Sequence, residues 1–172
     1  MKHGMLILGL NGCGKSTVGQ IAAERLGLFF MDAENYYFPH PGDFSLSRTH
    51  EEALRLMEAD VEEHDGFVLC CVKCSASDQL LRKVRVAVVL RAPAQLRAQR
   101  IVQREEDRFG SRVRPGGDMY ESQQHFRAFA ASRSEATVDQ SLTRLSCPVA
   151  EIDASLPLET VVQKVMQAYE KA

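Results

Sequence analysis

Nine residues near the amino terminus have the types and spacing needed to bind phosphate. Gly9-Leu10-Asn11-Gly12-Cys13-Gly14-Lys15-Ser16-Thr17 fits the pattern G-x-x-x-x-G-K-[ST]. The three glycines remove Cβ atoms, so the backbone can curl and direct successive N–H groups at an anion. The lysine supplies a mobile positive charge for the β- and γ-phosphates, and the serine hydroxyl is a ligand for Mg²⁺. The sequence therefore predicts a nucleoside triphosphate site formed by Gly9, Asn11, Gly12, Cys13, Gly14, Lys15, Ser16 and Thr17.

Two acidic residues follow the second predicted strand and are candidates for metal and acceptor chemistry. Asp32 and Glu34 end the segment Phe29-Phe30-Met31-Asp32-Ala33-Glu34, and a spacing of two residues at a strand end directs both side chains to one side. One carboxylate is suited to accept a proton from a substrate hydroxyl, and the other to hold Mg²⁺ through water. The alternative is a pair of solvated loop carboxylates. We predict Asp32 as a catalytic residue, and both residues as metal and substrate contacts.

The later predicted strands lack the carboxylate that many phosphate-loop proteins use for Mg²⁺. The third strand runs into Lys73 and the fourth into Arg91, and the chain contains no Asn-Lys-x-Asp sequence that would recognise guanine. These absences disfavour a GTPase or a large motor-type ATPase. They leave Asp32 and Glu34 as the natural carboxylates on the metal side.

The segment after the fourth predicted strand is rich in arginine. Arg100, Arg104 and Arg108 recur every four residues, so a helix would place them on one face. Guanidinium groups suit phosphate, although some of this row could be a solvated face balanced by nearby acidic residues. We expect a mobile lid at about 105–118 that folds over the triphosphate, with Arg104 and Arg108 as catalytic residues and Arg100 as a nucleotide contact. We expect Asp118 to cap the next helix.

Three further basic residues are candidate contacts to the acceptor substrate. Lys73 ends the third predicted strand, and Arg48 and Arg133 lie at predicted helix ends. Solvated side chains are the alternative for each of them. The five histidines show no spacing typical of a metal site.

The five cysteines indicate reduced thiols rather than a disulfide framework. Cys71 and Cys74 have the C-x-x-C spacing, but without a second pair zinc is not expected, and Cys70 and Cys71 are interpreted as small apolar strand residues. Cys13 lies beside a helix amino terminus, a position that can lower a thiol pKa. We predict that modification of Cys13 blocks nucleotide binding.

Alternating apolar runs and amphipathic stretches must position these residues. Strands are predicted at about 5–9, 28–32, 67–72, 85–91 and 148–153, and helices at about 15–26, 49–64 and 157–170. Near-continuous apolar strands separated by helices are typical of an α/β fold with a parallel sheet covered on both faces. In such a sheet, ligands bind beyond the carboxyl ends of the strands.

The bulk composition is that of one globular domain. The chain has 172 residues, 45% of them hydrophobic, and a formal net charge of −2. The small charge makes nucleic acid an unexpected partner. We find no signal peptide and no apolar run long enough to cross a membrane, so we expect a cytoplasmic protein with no membrane partner.

The chain resembles the small phosphate-loop kinases grouped with shikimate kinase, gluconate kinase and the nucleoside monophosphate kinases. The resemblance depends on the loop from Gly9 to Thr17, the Asp32-x-Glu34 pair, the arginine-rich segment and the Asp153-Ala154-Ser155 sequence. It implies a three-layer α/β/α P-loop NTPase fold with a five-stranded parallel sheet in the order 2-3-1-4-5. It also implies that Ala154 and Ser155 lie near adenine and that the lid arginines touch the phosphates.

Within this group the chain is most similar to shikimate kinase. Arg48 and Arg133 then correspond to arginines that contact shikimate. The Cys71-Val-Lys-Cys74 segment replaces a glycine triplet, so the substrate is expected to differ.

The sequence therefore predicts an enzyme that moves the γ-phosphate of ATP, with Mg²⁺, to a small hydroxylated or phosphorylated metabolite. A nucleoside or nucleotide kinase is the near alternative, since Tyr36, Tyr37 and Phe38 could stack a base or simply pack the loop. A P-loop ATPase or nucleotide-dependent switch without a small-molecule acceptor is a further alternative. The oligomeric state is expected to be monomer or homodimer.

Overall fold

Five parallel strands form one sheet in the order β2-β3-β1-β4-β5. The computed structural model describes residues 3–40 and 43–172. The strands are β1 (Gly4–Leu8), β2 (Phe29–Asp32), β3 (Phe67–Cys71), β4 (Val84–Arg91) and β5 (Val149–Asp153). The predicted α/β class and the strand order implied by the family resemblance are both confirmed.

Helices cover both faces of this sheet and complete a three-layer α/β/α fold. Every residue of β1 and β3 is buried, which explains why these strands are almost wholly apolar. The helices are α1 (Lys15–Leu26), α2 (Ala33–Tyr37), α3 (His50–Glu63), α4 (Asp78–Arg82), α5 (Ala94–Phe109), α6 (Tyr120–Ser132), α7 (Glu135–Leu142) and α8 (Leu158–Lys171), with a 3₁₀ turn at Gly110–Val113.

Local sequence signals set several of the helix ends. Thr49 and Glu52 form a reciprocal capping box at the start of α3, where each side chain accepts a hydrogen bond from the other residue's backbone N–H. Gly27 ends α1 with a φ of 67°, a left-handed conformation that glycine adopts without strain. Pro93 precedes the first residue of α5, as expected for a helix start.

Two local predictions are wrong. β2 ends at Asp32, and Glu34 lies in the first turn of α2, so the two carboxylates are not paired by strand periodicity. Asp118 does not cap the following helix; its carboxylate binds Arg112, with 2.7 Å between Asp118 Oδ2 and Arg112 Nη2. At Asp32, the hydrogen bond that caps α2 ends the expected strand pattern. At Asp118, the ion pair with Arg112 takes the place of the expected helix cap.

The parallel arrangement brings the carboxyl ends of all five strands to one edge of the sheet. The loop after β1, Asp32 at the end of β2, the segment after β3 and Ala154 after β5 therefore lie along the same edge. Among the described residues, no helix is both long and apolar enough to cross a membrane.

Candidate active site

The phosphate loop between β1 and α1 requires glycine for two separate physical reasons. Gly12 and Gly14 have φ angles of +85° and +88°, in the left-handed region. A Cβ at Gly12 would also lie 2.4 Å from the backbone oxygen of Arg97, and a Cβ at Gly9 would lie 2.7 Å from that of Leu90. The loop is therefore packed against both α5 and β4, and larger residues cannot occupy these positions without moving the backbone.

Lys15 begins α1 and points back across the loop. Its Nζ donates a hydrogen bond to the Leu10 carbonyl at 3.2 Å. Burial lowers the pKa of Lys15, and the nearby Asp32 charge opposes that shift. A cation partly removed from water at the start of a helix is suited to bind an anion.

Ser16 and Asp32 join the phosphate loop to the end of β2. Ser16 Oγ donates a hydrogen bond to Asp32 Oδ2, and Asp32 Oδ1 accepts one from the Glu34 backbone N–H at 3.1 Å. Asp32 thus caps α2 while its other oxygen faces the first turn of α1. A hydroxyl and a carboxylate in contact are the oxygen ligands that Mg²⁺ prefers, so these residues fit that ion.

Glu34 lies within electrostatic range of charged side chains from several elements. Burial raises the pKa of its carboxyl, and the Asp32 charge raises it further. The positive charges of Arg104, Lys15 and Arg108 lower it. Although Glu34 is not on the strand, the structure brings it within electrostatic range of the loop lysine and two of the predicted lid arginines.

The arginine row on α5 lies along one face of the helix, as the spacing predicts. Arg100, Arg104 and Arg108 line a shallow groove of about 530 Å³. Arg100 Nη2 donates to the Ala154 carbonyl at 2.9 Å, and its Nη1 donates to the Cys13 carbonyl at 3.4 Å. Arg100 therefore links the phosphate loop to the connection between β5 and α8.

Ser155, which follows Ala154 and is also predicted to contact the nucleotide, is hydrogen-bonded to Asp153. Its N–H and Oγ both donate to Asp153 Oδ1, at 2.9 and 2.6 Å. Thr17 is exposed in the first turn of α1. All the residues predicted to hold the nucleotide thus lie on the phosphate loop, on α5 or directly after β5.

Arg133 contacts the phosphate loop itself. Its Nη1 donates to Asn11 Oδ1 at 3.1 Å, and its guanidinium lies 4.5 Å from the centre of the Phe129 ring. Burial lowers the pKa of Arg133, and the Glu34 charge opposes this shift. Arg133, predicted as an acceptor contact, is thus hydrogen-bonded to the phosphate loop and lies within electrostatic range of Glu34.

Arg48 and Lys73 border different parts of the surrounding surface. Arg48 Nη1 donates to the backbone oxygens of Asn35 and Tyr36, at 3.2 and 3.0 Å, and so holds the end of α2. Lys73 is exposed and lines a cleft of about 530 Å³ between α3, α7 and the loop after β3. The structure does not place Arg48 and Lys73 on one common wall.

The three aromatic residues after the acidic pair are engaged in packing. Tyr36 Oη donates to Asp60, Tyr37 Oη is hydrogen-bonded to His50, and the Phe38 ring packs edge-on against Phe44. The same Phe44 ring stacks on Phe126 of α6, with ring centres 5.5 Å apart. These contacts favour the loop-packing alternative for the aromatic residues.

The expectation of a low thiol pKa at Cys13 is wrong. The residue is 1% exposed, and burial raises the pKa of its thiol above the ordinary value, against the smaller opposing effects of Lys15 and Arg97. The helix amino terminus therefore does not make this thiol reactive, because the loss of solvent has the larger effect.

Ion pairs that the sequence pattern does not predict fix Glu105 of α5 and Arg91 at the end of β4. Glu105, one of the acidic residues beside the arginine row, is 2% exposed and pairs with Arg127 of α6 at 2.5 Å. Arg91 is bound by Glu135, Asp139 and Glu151. The i, i+4 spacing of Glu135 and Asp139 on an undetected helix was the available signal.

Among the described residues, no group of three or more histidine, cysteine, aspartate or glutamate side chains is placed to hold a metal ion. A metal bound at Ser16 and Asp32 would need further oxygens from a phosphate or from water, as is usual for Mg²⁺.

Comparisons with known proteins show relatives of similar sequence and of similar fold. A curated relative, the uncharacterized protein YqaC of Bacillus subtilis (strain 168), is 30% identical over 174 residues, which cover 96% of this chain and 97% of the relative. The solved shikimate kinase of Acinetobacter baumannii, in complex with shikimate, matches 98% of this chain and 93% of its own, with a TM-score of 0.58 and 16% identity. A gluconokinase structure from Sinorhizobium meliloti 1021 matches 99% of this chain and 93% of its own, with a TM-score of 0.54 and 16% identity.

At these identities the two structures are similar to this chain in fold alone. The AAA_18 family model, described as an AAA domain, matches residues 5–118, the part that contains the phosphate loop, the acidic pair and the arginine row. The chain therefore belongs to the AAA_18 family of AAA domains and has a phosphate-loop kinase fold.

Proposed function

We propose that this protein is an ATP- and Mg²⁺-dependent kinase that transfers the γ-phosphate to a small hydroxylated or phosphorylated metabolite. The observation that carries the proposal is the contact between Ser16 of the phosphate loop and Asp32 at the end of β2. It places a carboxylate beside the residues that would bind the terminal phosphates. Phosphoryl transfer depends mainly on such positioning and on stabilisation of charge.

Each residue of the site has a proposed role. The loop N–H groups and Lys15 bind the β- and γ-phosphates, and Arg104 and Arg108 stabilise the charge that develops during transfer. Asp32 orients the acceptor hydroxyl and receives its proton. Ser16 and Asp32 would hold Mg²⁺, with Glu34 acting through water, and the bound ion would supply stabilisation of the negative charge on the phosphate oxygens.

The nucleotide base is proposed to bind at the junction of Arg100, Ala154 and Ser155. This part of the proposal is supported by the hydrogen bonds that Arg100 makes to the Ala154 and Cys13 carbonyls, which join the end of β5 to the phosphate loop. The segment at about 105–118 is proposed as a lid that closes over the phosphates.

The acceptor is proposed to bind between the acidic pair and the cleft lined by Lys73. Lys73 lines the cleft, Arg133 is bound to the phosphate loop and Arg48 is bound at the end of α2. We propose that these basic residues, which lie on different parts of the surface, favour an acceptor that carries an anionic group. Hydroxyl groups of Ser75, Ser77 and Thr137 line the same cleft and suit a polyhydroxylated molecule.

The test is ADP formation from Mg-ATP in water alone and with a panel of sugar acids, polyols, sugar phosphates, nucleosides and nucleotides. We expect a hydroxylated acceptor to stimulate turnover by at least about 100-fold over water. Lys15→Met is the background control, because it removes the phosphate-binding charge. Turnover that no acceptor stimulates would favour a nucleotide-dependent switch, and stimulation confined to nucleosides or nucleotides would favour a nucleotide kinase.

A further inference from the structure

The thiols of Cys71 and Cys74 form a pair that the proposed phosphoryl transfer does not use. Cys71 is the last residue of β3, and Cys74 lies in the loop that follows, with two residues between them. A hydrogen bond joins their side chains. Successive strand residues point to opposite faces, and Cys70 is turned toward α1, where its Sγ donates to the Lys15 carbonyl at 3.3 Å. Cys71 and Cys74 therefore face each other, with Cys70 directed away.

Both cysteines are buried to a similar degree, but only Cys74 lines a cleft. This cleft, of about 530 Å³, lies between α3 and α7. The Cys74 backbone is held in place, because its N–H donates to Ser141 Oγ at 3.0 Å and its carbonyl accepts from Arg144 Nη1 at 3.1 Å. A small oxidant in this cleft would therefore lie against Cys74, whose side chain is hydrogen-bonded to Cys71.

The hydrogen bond also makes the two thiols chemically unequal. It lowers the pKa of Cys74 to about 7, with a smaller contribution from the Arg144 charge, whereas it raises the pKa of Cys71. Cys74 is therefore the thiol of the pair that ionises more readily. The other charged or titratable groups lining the cleft are His50, Lys73, Asp78 and Arg144.

We propose that Cys74 is a site of oxidation by hydroperoxides and that Cys71 completes the reaction by forming a reversible Cys71–Cys74 disulfide. In the first step the Cys74 thiolate attacks one peroxide oxygen. The O–O bond breaks, a sulfenic acid forms, and the leaving hydroxide or alkoxide takes a proton. In the second step Cys71 sulfur attacks Cys74 sulfur, the S–O bond breaks, and the Cys71 proton leaves with the oxygen as water. The two thiols lose two electrons in total, and the peroxide gains them.

This inference concerns a modification site and does not depend on the proposed kinase activity. The position of the cysteine pair nevertheless connects the modification to the proposed kinase activity, because Lys73, a proposed acceptor contact, lies between the two cysteines in the sequence. A disulfide would fix the backbone that carries Lys73.

The experiment treats the full chain with hydrogen peroxide and follows the intact mass and the cysteine-containing peptides. We expect the loss of two hydrogen atoms, a peptide link between Cys71 and Cys74, and full reversal by dithiothreitol. Because the thiolate reacts, the rate should rise about tenfold between about pH 6 and about pH 8. Cys71→Ser should stop at a sulfenic acid on Cys74 that dimedone traps.

Three control variants make the result specific. Cys74→Ser should abolish the disulfide, whereas Cys70→Ser and Cys147→Ser should form it at the wild-type rate. Circular dichroism establishes that each variant is folded, and Cys74→Ala replaces any serine variant that is not. A disulfide that joins another pair of cysteines, or Cys74→Ser oxidising as fast as wild type, would overturn the proposal.

Discussion

Ser16 Oγ donates a hydrogen bond to Asp32 Oδ2 and so joins the start of α1 to the end of β2, the next element along the chain. The contact links the first turn of α1, which follows the phosphate loop, to the residue that ends β2 and caps α2. The register of the parallel sheet makes the contact possible, because β2 and β1 both pair with β3, at positions ending in Asp32–Cys70 and Leu8–Cys71.

Asn in place of Asp32 should separate nucleotide binding from phosphoryl transfer. The amide retains the size of the side chain but cannot receive a proton, so we expect acceptor-dependent turnover to fall by about 100-fold or more. Nucleotide affinity, measured by calorimetry, should stay within a few-fold of wild type. Asp65→Asn, at an exposed loop position, is the matched control and should leave both quantities unchanged. A fully active Asp32→Asn enzyme would refute the assigned role.

Loss of the arginine row should reduce the rate of transfer more than it reduces binding. Arg104→Ala and Arg108→Ala each remove a charge that acts on the Glu34 region, and we expect turnover to fall by about 100-fold for each. Arg82→Ala, an exposed arginine on α4, serves as the control. Saturation kinetics separates the two effects. Wild-type turnover in the Arg104→Ala/Arg108→Ala double variant would contradict the role proposed for the row.

Two glycines of the phosphate loop allow the cost of a left-handed backbone to be separated from the cost of a steric clash. Gly12 and Gly14 have nearly equal φ angles, but a Cβ added at Gly12 would lie 2.4 Å from a backbone oxygen, whereas one added at Gly14 would enter open space. Alanine at Gly14 should cost about 1–2 kcal/mol, the penalty of a left-handed residue. Alanine at Gly12 should cost more, because Arg97 must also move. Urea unfolding without nucleotide measures the free energy of unfolding of each variant. Equal losses of stability at Gly12 and Gly14 would show that the packing of Gly12 against α5 is unimportant.

Glu34 should make the stability of the free protein fall as the pH rises. Its folded pKa lies above the ordinary value of 4.5, so its contribution is fully present below about pH 4.5 and is lost as the pH rises through the folded pKa. Glu34→Gln should therefore stabilise the protein at about pH 7 and have little effect at about pH 4. Urea unfolding at the two values measures this difference.

Glu52 provides a control of opposite sign for the pH experiment. Hydrogen bonds from Thr49 lower the pKa of its carboxyl, so its contribution is present above about pH 4.5 and is lost as the pH falls. Glu52→Gln should destabilise the protein at neutral pH. If Glu34→Gln also destabilised it there, the burial argument for Glu34 would be wrong.

The buried Glu105 depends on Arg127 for its only described ion pair. One carboxylate oxygen, Oε1, has no hydrogen-bond partner among the described residues, and Oε2 carries the pair. Arg127→Met should cost about 3–5 kcal/mol, because it leaves a buried charge unpaired. Adding Glu105→Leu should restore most of that loss. Denaturant unfolding of Arg127→Met, Glu105→Leu and the double variant measures the free energy of coupling between the two residues. Free-energy changes that simply add would contradict the coupling.

Much of the fold could be predicted from local sequence. Fully buried strands such as β3 are continuous apolar runs, and the Thr49–Glu52 capping box and Gly27 mark helix ends through interactions within a few residues. The phosphate loop was equally readable, because its glycine spacing encodes a backbone shape. Helix α7 was not predicted; its apolar pattern is weak, and Val138 is buried only through packing against the rest of the fold.

The sequence by itself determined a phosphate loop, an acidic pair and a row of arginines, because each is a local pattern of residue types and spacing. Tertiary structure alone decided their partners. It joined Ser16 to Asp32, hydrogen-bonded Arg133 to Asn11, and buried Glu105 against Arg127. These outcomes depend on which elements the sheet order brings together, and a charge or thiol acquires its final pKa only from the burial and the neighbours that this order imposes.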